Sequence, residues 1–450
     1  MESFFDKYVE TVNRTETIKY TGKVTAVKGL MIESNGPHSV IGEICRIEVA
    51  ASKSTVMAEV VGLENSTVKM MAYGETKGIE VGALVTASGH ILEVPVGNML
   101  LGRVLDPTGH AADGKGDISS SVYYPAIAPA PDPMSRTDIN RRIVTGVRSI
   151  DSLLTVGKGQ RLGIFAGSGV GKSTLISMIA RNTNADVNVI GLIGERGREV
   201  LDFIKRDLGE EGLKRSVVVM ATGDQSAIAR VRAAYVTTAI AEYFRDQGKD
   251  VMMMFDNVSR FAKAQRDIGV ETGELPSKGG YPPSAFDQIQ KLLERTGTNS
   301  KGSITAFYAV LVDGDDMDDP VADTVRGVLD GHVVLDRKLA GRQHYPAIDV
   351  MTSISRLSKR VSGKKTLEAV RKVRRWIATY SDQEDMIMTG AYRKGTVPEV
   401  DEAIDMHSKI EDFLCQEEDE HITIQDTLKL LSELSGVEIP EEEYVESPVS

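Results

Sequence analysis

The fold class read from this sequence is α/β: a core built on a parallel sheet, with an N-terminal β-barrel and a C-terminal helical domain. Three observations predict it. Residues 20–95 carry short β-rich runs separated by turns, residues 145–350 alternate apolar β-rich segments with helical ones around a glycine-rich loop, and the pattern beyond about 375 is helical.

Each element follows from local chemistry. In the first segment Phe4, Phe5, Tyr8, Val9 and Val12 recur at helical spacing, which gives a short amphipathic helix. It either packs on the body of its own chain or docks on another protein, since chain ends are seldom tied down tightly. Runs such as 23–27 and 55–61, set between Gly and Asn turns, suggest a small β-barrel. Four prolines between Tyr123 and Pro133 make that stretch an extended surface connection. Segments 162–165, 187–193, 217–221, 251–255 and 304–311 are near-continuous apolar runs between helical stretches, the pattern of a parallel sheet covered on both faces. Farther on, Val400, Ile404, Ile410 and Phe413 share a helical face. The chain then runs into Glu441-Glu442-Glu443, and its last dozen residues are expected to be disordered.

Composition bounds the function. A chain of 450 residues allows about three domains, and 41% apolar with 26% charged residues excludes fibrous, disordered and membrane-spanning classes. The formal charge of -12 argues against nucleic acid as the main partner. Residues 20–95 hold only Tyr20 and Tyr73 as aromatics, whereas an RNA-binding module interleaves aromatics with basic residues. Cys45 and Cys415 belong to no CxxC or Cys/His cluster, so both are expected to be buried and inert. Glu2, Asp6 and Glu10 stand where a signal peptide carries positive charge, and no run of 18 apolar residues occurs, so a cytoplasmic protein is expected.

The chemistry lies in the core. Ala166-Gly167-Ser168-Gly169-Val170-Gly171-Lys172-Ser173-Thr174 follows the run 162–165 and opens a helical stretch near Lys172. In such a loop the glycines let backbone N–H groups curl around a triphosphate, Lys172 reaches the β- and γ-phosphates, and the Ser173 hydroxyl ligates Mg2+. Ala166 stands where the strict pattern has its first glycine. Asp256 ends the apolar run 251–255, a second candidate for holding Mg2+, although an Asp there more often caps a helix. Glu195, in Gly194-Glu195-Arg196, sits where the C-terminal edge of a parallel sheet faces its ligand, ready to orient water for attack on a γ-phosphate. A surface salt bridge to Arg196, Arg198 or neighbours of Glu199 is the competing reading. Between Asp313 and Asp319 five carboxylates occur, but Met317 takes a ligand position of a calcium loop, which leaves a subunit-interface loop.

Gly194-Glu195-Arg196-Gly197-Arg198-Glu199-Val200, the phosphate loop, the stretch 256–266, Gly280-Tyr281-Pro282-Pro283-Ser284 and Tyr345-Pro346-Ala347-Ile348-Asp349 with Ser355-Arg356 resemble the rotary ATP synthase catalytic β subunits and type III secretion ATPases. Asn98 with Gly102-Arg103-Val104-Leu105-Asp106, and Thr145-Gly146-Val147-Arg148-Ser149-Ile150-Asp151, are also similar, and the resemblance runs from about residue 20 to 430. It implies a RecA-like core divided as 1–19 docking helix, 20–95 β-barrel, 96–375 P-loop ATPase domain and 376–450 helical domain with an acidic tail. Glu195 would then activate water, with Arg196 beside it in the catalytic set, and Lys172 would bind phosphate. Residues Gly167, Ser168, Gly169, Val170, Gly171, Ser173 and Thr174 complete the loop, and Tyr345 would stack on adenine. Arg356 matches an arginine finger that reaches the neighbouring subunit's nucleotide, which implies a homohexamer.

Departures narrow the branch. Gly167-Ser168-Gly169-Val170 resembles the flagellar export form, not the alanine- and glycine-rich loop of injectisome ATPases. Met388-Thr389-Gly390-Ala391-Tyr392-Arg393-Lys394-Gly395 replaces the acidic lever of ATP synthase β subunits, and Glu417, Glu418 and Asp419 follow Gln416 where a second base-packing aromatic would stand. The resemblance thus implies ATP hydrolysis, with ATP and Mg2+, energising flagellar type III protein export. An injectisome ATPase or an ATP synthase-type catalytic subunit are the alternatives. Implied partners are a stator-like regulator at the N-terminal helix, a coiled-coil central stalk-like protein, export gate membrane proteins and export chaperone–substrate complexes. The expected location is cytoplasmic, peripheral at the inner face of the membrane through those partners.

Overall fold

The computed structural model describes residues 19–312 and 319–445. The expected docking helix at 1–18, the carboxylate-rich loop at 313–318 and residues 446–450 lie outside them.

Six antiparallel strands close a barrel: β1 (Thr21–Lys28), β2 (Met31–Asn35), β3 (Glu43–Val49), β4 (Ser54–Glu64), β5 (Thr67–Ala72) and β6 (Leu84–Ile91), in the order β1-β2-β5-β4-β3-β6. Closure comes from β1 pairing with both β2 and β6, so no edge is left exposed. Val24, Ile32, Cys45, Ile47, Val60, Met70 and Val85 fill its interior. Burial pushes the Cys45 thiol up to about 12, which makes it unreactive. Cys415 departs from the expectation: it is only partly buried.

The proline-rich connection begins as a strand. β7 (Glu93–Val96) pairs with β9 (Val122–Pro125), and β8 (Val104–Leu105) between them joins the edge of the main sheet. A second ribbon, β10 (Arg142–Ile143) with β11 (Val156–Gly157), brackets the short helix α1 (Arg148–Leu153).

The core sheet contains β12 (Arg161–Ala166), β13 (Val187–Glu195), β14 (Ser216–Thr222), β15 (Asp250–Asp256), β17 (Ser303–Leu311), β18 (Gly331–Leu335) and β19 (Ile354–Ser355). Its order is β19-β18-β12-β17-β15-β13-β14-β8, parallel except at β19, with the short β16 (Gly297–Thr298) antiparallel on β17. Residue alternation explains the apolar runs. Val251, Met253 and Phe255 enter one core and Met252 and Met254 the other, so neither face of β15 tolerates a polar residue. The first face is covered by α4 (Ala227–Asp246), α5 (Val258–Glu271), α6 (Pro283–Glu294) and α7 (Pro320–Val328). The other is covered by α2 (Lys172–Asn182) and the C-terminal helices; α3 (Gly197–Asp202) follows β13.

Helix α8 (Ser358–Val361) leads to α9 (Lys364–Met388), α10 (Pro398–Leu414) and α11 (Ile424–Ser435). The C-terminal helical run therefore begins at Ser358, and position 376 falls midway along α9. Val400, Ile410 and Phe413 are buried with Ala403, which takes the inward position beside a half-buried Ile404. Expected disorder at the end of the chain is corrected for residues 439–445: Ile439 and Glu443 are buried, and Glu441–Glu443 form a turn against α9. Glu443 is ordered because backbone N–H groups satisfy its carboxylate. Among the described residues no helix is long and apolar enough to cross a membrane.

Candidate functional site

The phosphate loop leaves β12 at Ala166 and enters α2 at Lys172. Ala166 is the last strand residue and points into the core, which explains why a methyl group is accepted where the pattern asks for glycine. Gly171 caps α2 with φ 96°, a left-handed conformation that a Cβ would strain. Val170 is buried in the core, so of this residue only the backbone serves the loop. The free N–H groups of the first turn of α2 and its dipole favour an anion at this mouth.

Strand register gathers the charged groups. β13 and β15 are neighbours, and each ends in a carboxylate, Glu195 and Asp256. Lys172 pairs with Asp256 and lies 3.8 Å from Glu195. Asp256 caps no helix; Asn257 does, accepting from the Arg260 N–H at 2.9 Å. Glu195 is buried, takes a hydrogen bond of 2.9 Å from the Asn257 side-chain amide and has the Arg260 guanidinium at 3.4 Å. Arg260 also donates to the Gly194 carbonyl, fixing the strand end that carries Glu195. Burial, and then the negative charge of Asp256, pushes the Glu195 carboxyl up to about 7, against the pull of Lys172 and Arg260.

The competing salt-bridge reading is corrected in its partners. Arg196 pairs with Glu199 at 3.1 Å with its side chain 81% exposed, so it borders the cavity mouth without holding Glu195. The cavity at the loop has a volume of about 350 Å³ and is walled by loop residues including Ser173 and Thr174, with Glu195, Glu199 and Arg260. A second cavity of about 360 Å³ shares Gly169, Gly171 and Thr174 with it and is bordered by Tyr345, 41% exposed. Met178, Gln416, Glu417 and Glu418 also line it. Gln416 is buried and ties three segments together: its amide donates to Gly146 O at 2.9 Å, its oxygen accepts from Arg148 N at 2.8 Å, and its backbone N–H donates to Tyr345 O at 2.8 Å.

Arg356 is not brought to this site. It follows β19, whose Ser355 pairs with Gly331 at the start of β18, whereas the phosphate loop follows Ala166, paired with Leu335 at the end of β18. Its backbone N–H bonds to the Asp330 carbonyl, level with Arg161, so it stands at the opposite end of the strands, about 16 Å from the loop along the strand direction at the usual rise and two strands to the side. Arg356 is exposed.

The donor set fits a hard cation shared with a triphosphate: a hydroxyl, Ser173, in the first turn of α2 and a carboxylate, Asp256, at the end of β15. Sequence reasoning missed Asn257, Arg260 and Gln416 as site residues. An Asn before a helix signals a cap, but nothing local says that its amide faces a glutamate on another strand.

Three family models match the chain in order: the ATP synthase alpha/beta family β-barrel domain over residues 24–89, its nucleotide-binding domain over 146–355, and the type III secretion EscN ATPase C-terminal domain over 362–433. The chain is 58% identical over 433 residues to a flagellum-specific ATP synthase of Treponema pallidum, covering 96% of this chain and 97% of the relative. It is 52% identical to that of Bacillus subtilis, covering 96% and 98%. Among solved structures it is similar to the assembled ATPase EscN in complex with its central stalk EscO from the type III secretion system of enteropathogenic E. coli. That likeness has a TM-score of 0.86 and 40% identity, over 92% of this chain and 100% of the other.

Proposed function

The chain belongs to the ATP synthase alpha/beta family, among the flagellum-specific and type III secretion ATPases, and from that premise we propose that it hydrolyses ATP in a homohexameric ring that energises flagellar type III protein export. One observation carries the chemistry: Lys172, Glu195 and Asp256 meet at the mouth of a glycine loop that opens a helix.

In this reading the loop amides of residues 167–174 bind the β- and γ-phosphates, and Lys172 turns from Asp256 towards them. Glu195 accepts a hydrogen bond from the attacking water and takes its proton. Its carboxyl near pH 7 suits that role, since a base works best when poised near the operating pH. Asn257 and Arg260 hold Glu195 in register. Ser173 and Asp256 would hold Mg2+, which when bound neutralises charge on the β- and γ-oxygens. Tyr345 packs on the base in a cavity that Met178 and Gln416 also line.

Arg356 lies across the sheet from the loop of its own chain, which supports a finger acting on a neighbouring subunit. The EscN likeness supports a ring around a coiled-coil central stalk-like protein. A stator-like regulator, export gate membrane proteins and chaperone–substrate complexes are the remaining proposed partners, and they would hold the ring at the inner face of the membrane. Identity of 58% and 52% to flagellum-specific relatives, against 48% to a type 3 secretion system ATPase of Xanthomonas euvesicatoria and 40% to EscN, favours the flagellar branch over the injectisome.

Phosphate release by the purified chain tests the reaction. It should require Mg2+ and vanish in Lys172→Ala; a rate in Lys172→Ala equal to wild type would refute the site. Flagellar chaperones recovered with the full chain from its own cells would decide for the flagellum, and injectisome components against it.

A further inference from the structure

The first turn of α9 has no cap of its own. Gly363 precedes it and offers no side chain, yet the turn's N–H groups are satisfied by a residue far along the chain: Glu443 accepts from Lys365 N at 3.0 Å, Thr366 N at 2.8 Å and Thr366 Oγ1 at 2.7 Å. A Cβ at 363 would stand 2.0 Å from Glu443 Cδ, so any other residue there displaces the Glu443 side chain. Near this junction lies Arg142 on β10, 1% exposed, whose three guanidinium nitrogens have no hydrogen-bond partner among the described residues. The carboxylates whose charge acts on it are Asp151 and then Glu443, and Asp151 is already engaged by Thr145 and Gly146. A buried cation of this kind holds a carboxylate in place by attraction that the low-dielectric interior strengthens.

The clamp sits at the end of the segment that carries Arg356. Upstream, Ser355 donates to Thr155 O at 2.8 Å and accepts from Gln160 at 3.1 Å. Downstream, α8 packs on β11 through Val361, whose methyl would lie 3.2 Å from a Cβ on Gly157. Arg356 therefore hangs between two anchors, β19 on one side and the α8–α9 junction on the other, and Glu443 fastens the second.

We infer that Glu443 is a positioning residue for Arg356 of its own chain and, through it, for ATP hydrolysis on the neighbouring subunit. This rests on the reading of Arg356 as a finger in trans. Releasing the clamp moves the finger without touching the nucleotide site of the same chain. A misplacement of the order of 1 Å costs a reaction about 10²-fold, so Glu443→Ala should lower kcat by about 10- to 100-fold while KM for ATP and the affinity for a fluorescent nucleotide stay within about twofold. Glu443→Gln, which keeps one acceptor oxygen, should retain part of the rate, and Gly363→Ala should reproduce the loss by evicting Glu443.

Mixed rings decide the matter. In a mixture of full-length Glu443→Ala and Lys172→Ala chains, intact Lys172 sites of the first meet well-held Arg356 residues of the second, so activity should exceed both parents. Arg356→Ala mixed with Lys172→Ala is the control. If the control regains activity and the Glu443→Ala mixture does not, Glu443 does not act through Arg356, and the trans finger stands. If neither regains activity while native mass spectrometry finds mixed rings, the trans finger falls and the inference with it. A parallel loss of nucleotide affinity in Glu443→Ala would reduce the residue to a structural cap. Should Glu443→Ala melt below assay temperature, Glu443→Gln takes its place in the mixture.

Discussion

At the scale of single residues, the proposed function divides the work of one cavity between Glu195 and Lys172, and the outcomes expected of their variants follow from it. Lys172→Ala removes a phosphate contact and should weaken nucleotide binding as well as abolish turnover. Glu195→Gln removes only the group that handles water, so kcat should fall by about 10²- to 10⁴-fold with nucleotide affinity kept, measured by single-turnover phosphate release and equilibrium binding. The Glu195 carboxyl, raised from 4.5 to about 7, makes a pH prediction with a definite sign. Its ionised form is the base, so kcat/KM should fall as pH drops through about 7. Stability runs the other way. A raised folded-state value means that the fold prefers the neutral form, so its contribution is full below the ordinary value of 4.5 and is lost as pH rises through about 7. The Tm of Glu195→Gln relative to wild type should therefore be higher at pH 8 than at pH 5. Glu195 was legible in the sequence because it follows an apolar strand; its real partners were not, since Arg260 lies on a helix sixty-odd positions away that only the sheet brings alongside.

Elements meet at Gln416, which follows α10. Its amide bonds to Gly146 and Arg148 join the C-terminal helices to the loop before α1, and its backbone holds the Tyr345 carbonyl. Gln416→Ala leaves a buried carbonyl and a buried N–H without partners, a cost of about 1–3 kcal/mol by denaturant unfolding. On the proposed reading it should also raise KM for ATP, because the cavity that Tyr345 borders loses a lining side chain. Tyr345→Ala should raise KM as well, whereas Tyr345→Phe, which keeps the ring, should stay near wild type; stacking on a base is worth about 1–3 kcal/mol. The helices and the five central strands could be read from periodicity, yet β8, β18 and β19 could not. Strands of two residues carry no period, and β18 alternates buried and half-buried positions in a segment too short to outweigh its flanks.

The whole molecule depends on joints that no local pattern announces. Glu59 of β4 is buried against Arg232 of α4, with Nε at 2.6 Å, and Tyr73 donates to it at 2.8 Å, so one carboxylate seats the barrel on the core. Breaking a buried pair leaves an uncompensated charge, and Glu59→Ala should cost about 3–5 kcal/mol in unfolding free energy. Ring assembly makes a further prediction: specific ATPase activity should rise more steeply than linearly with protein concentration, and a chain fully active as a monomer at nanomolar concentration would remove the trans finger. What the sequence determined by itself was the chemistry and the order of parts: a barrel, a phosphate loop on a parallel sheet and a helical end, because turn residues, glycine loops and apolar periods are local properties. Which side chains face one another was decided by the tertiary structure. Neighbouring parallel strands brought Glu195 and Asp256 to one end of the sheet around Lys172, the antiparallel β18–β19 pairing put Arg356 at the other end, and packing of the chain's last segment brought Glu443 back to cap α9; contacts between residues so distant in the chain arise only when strands align and buried polar groups must each find a partner.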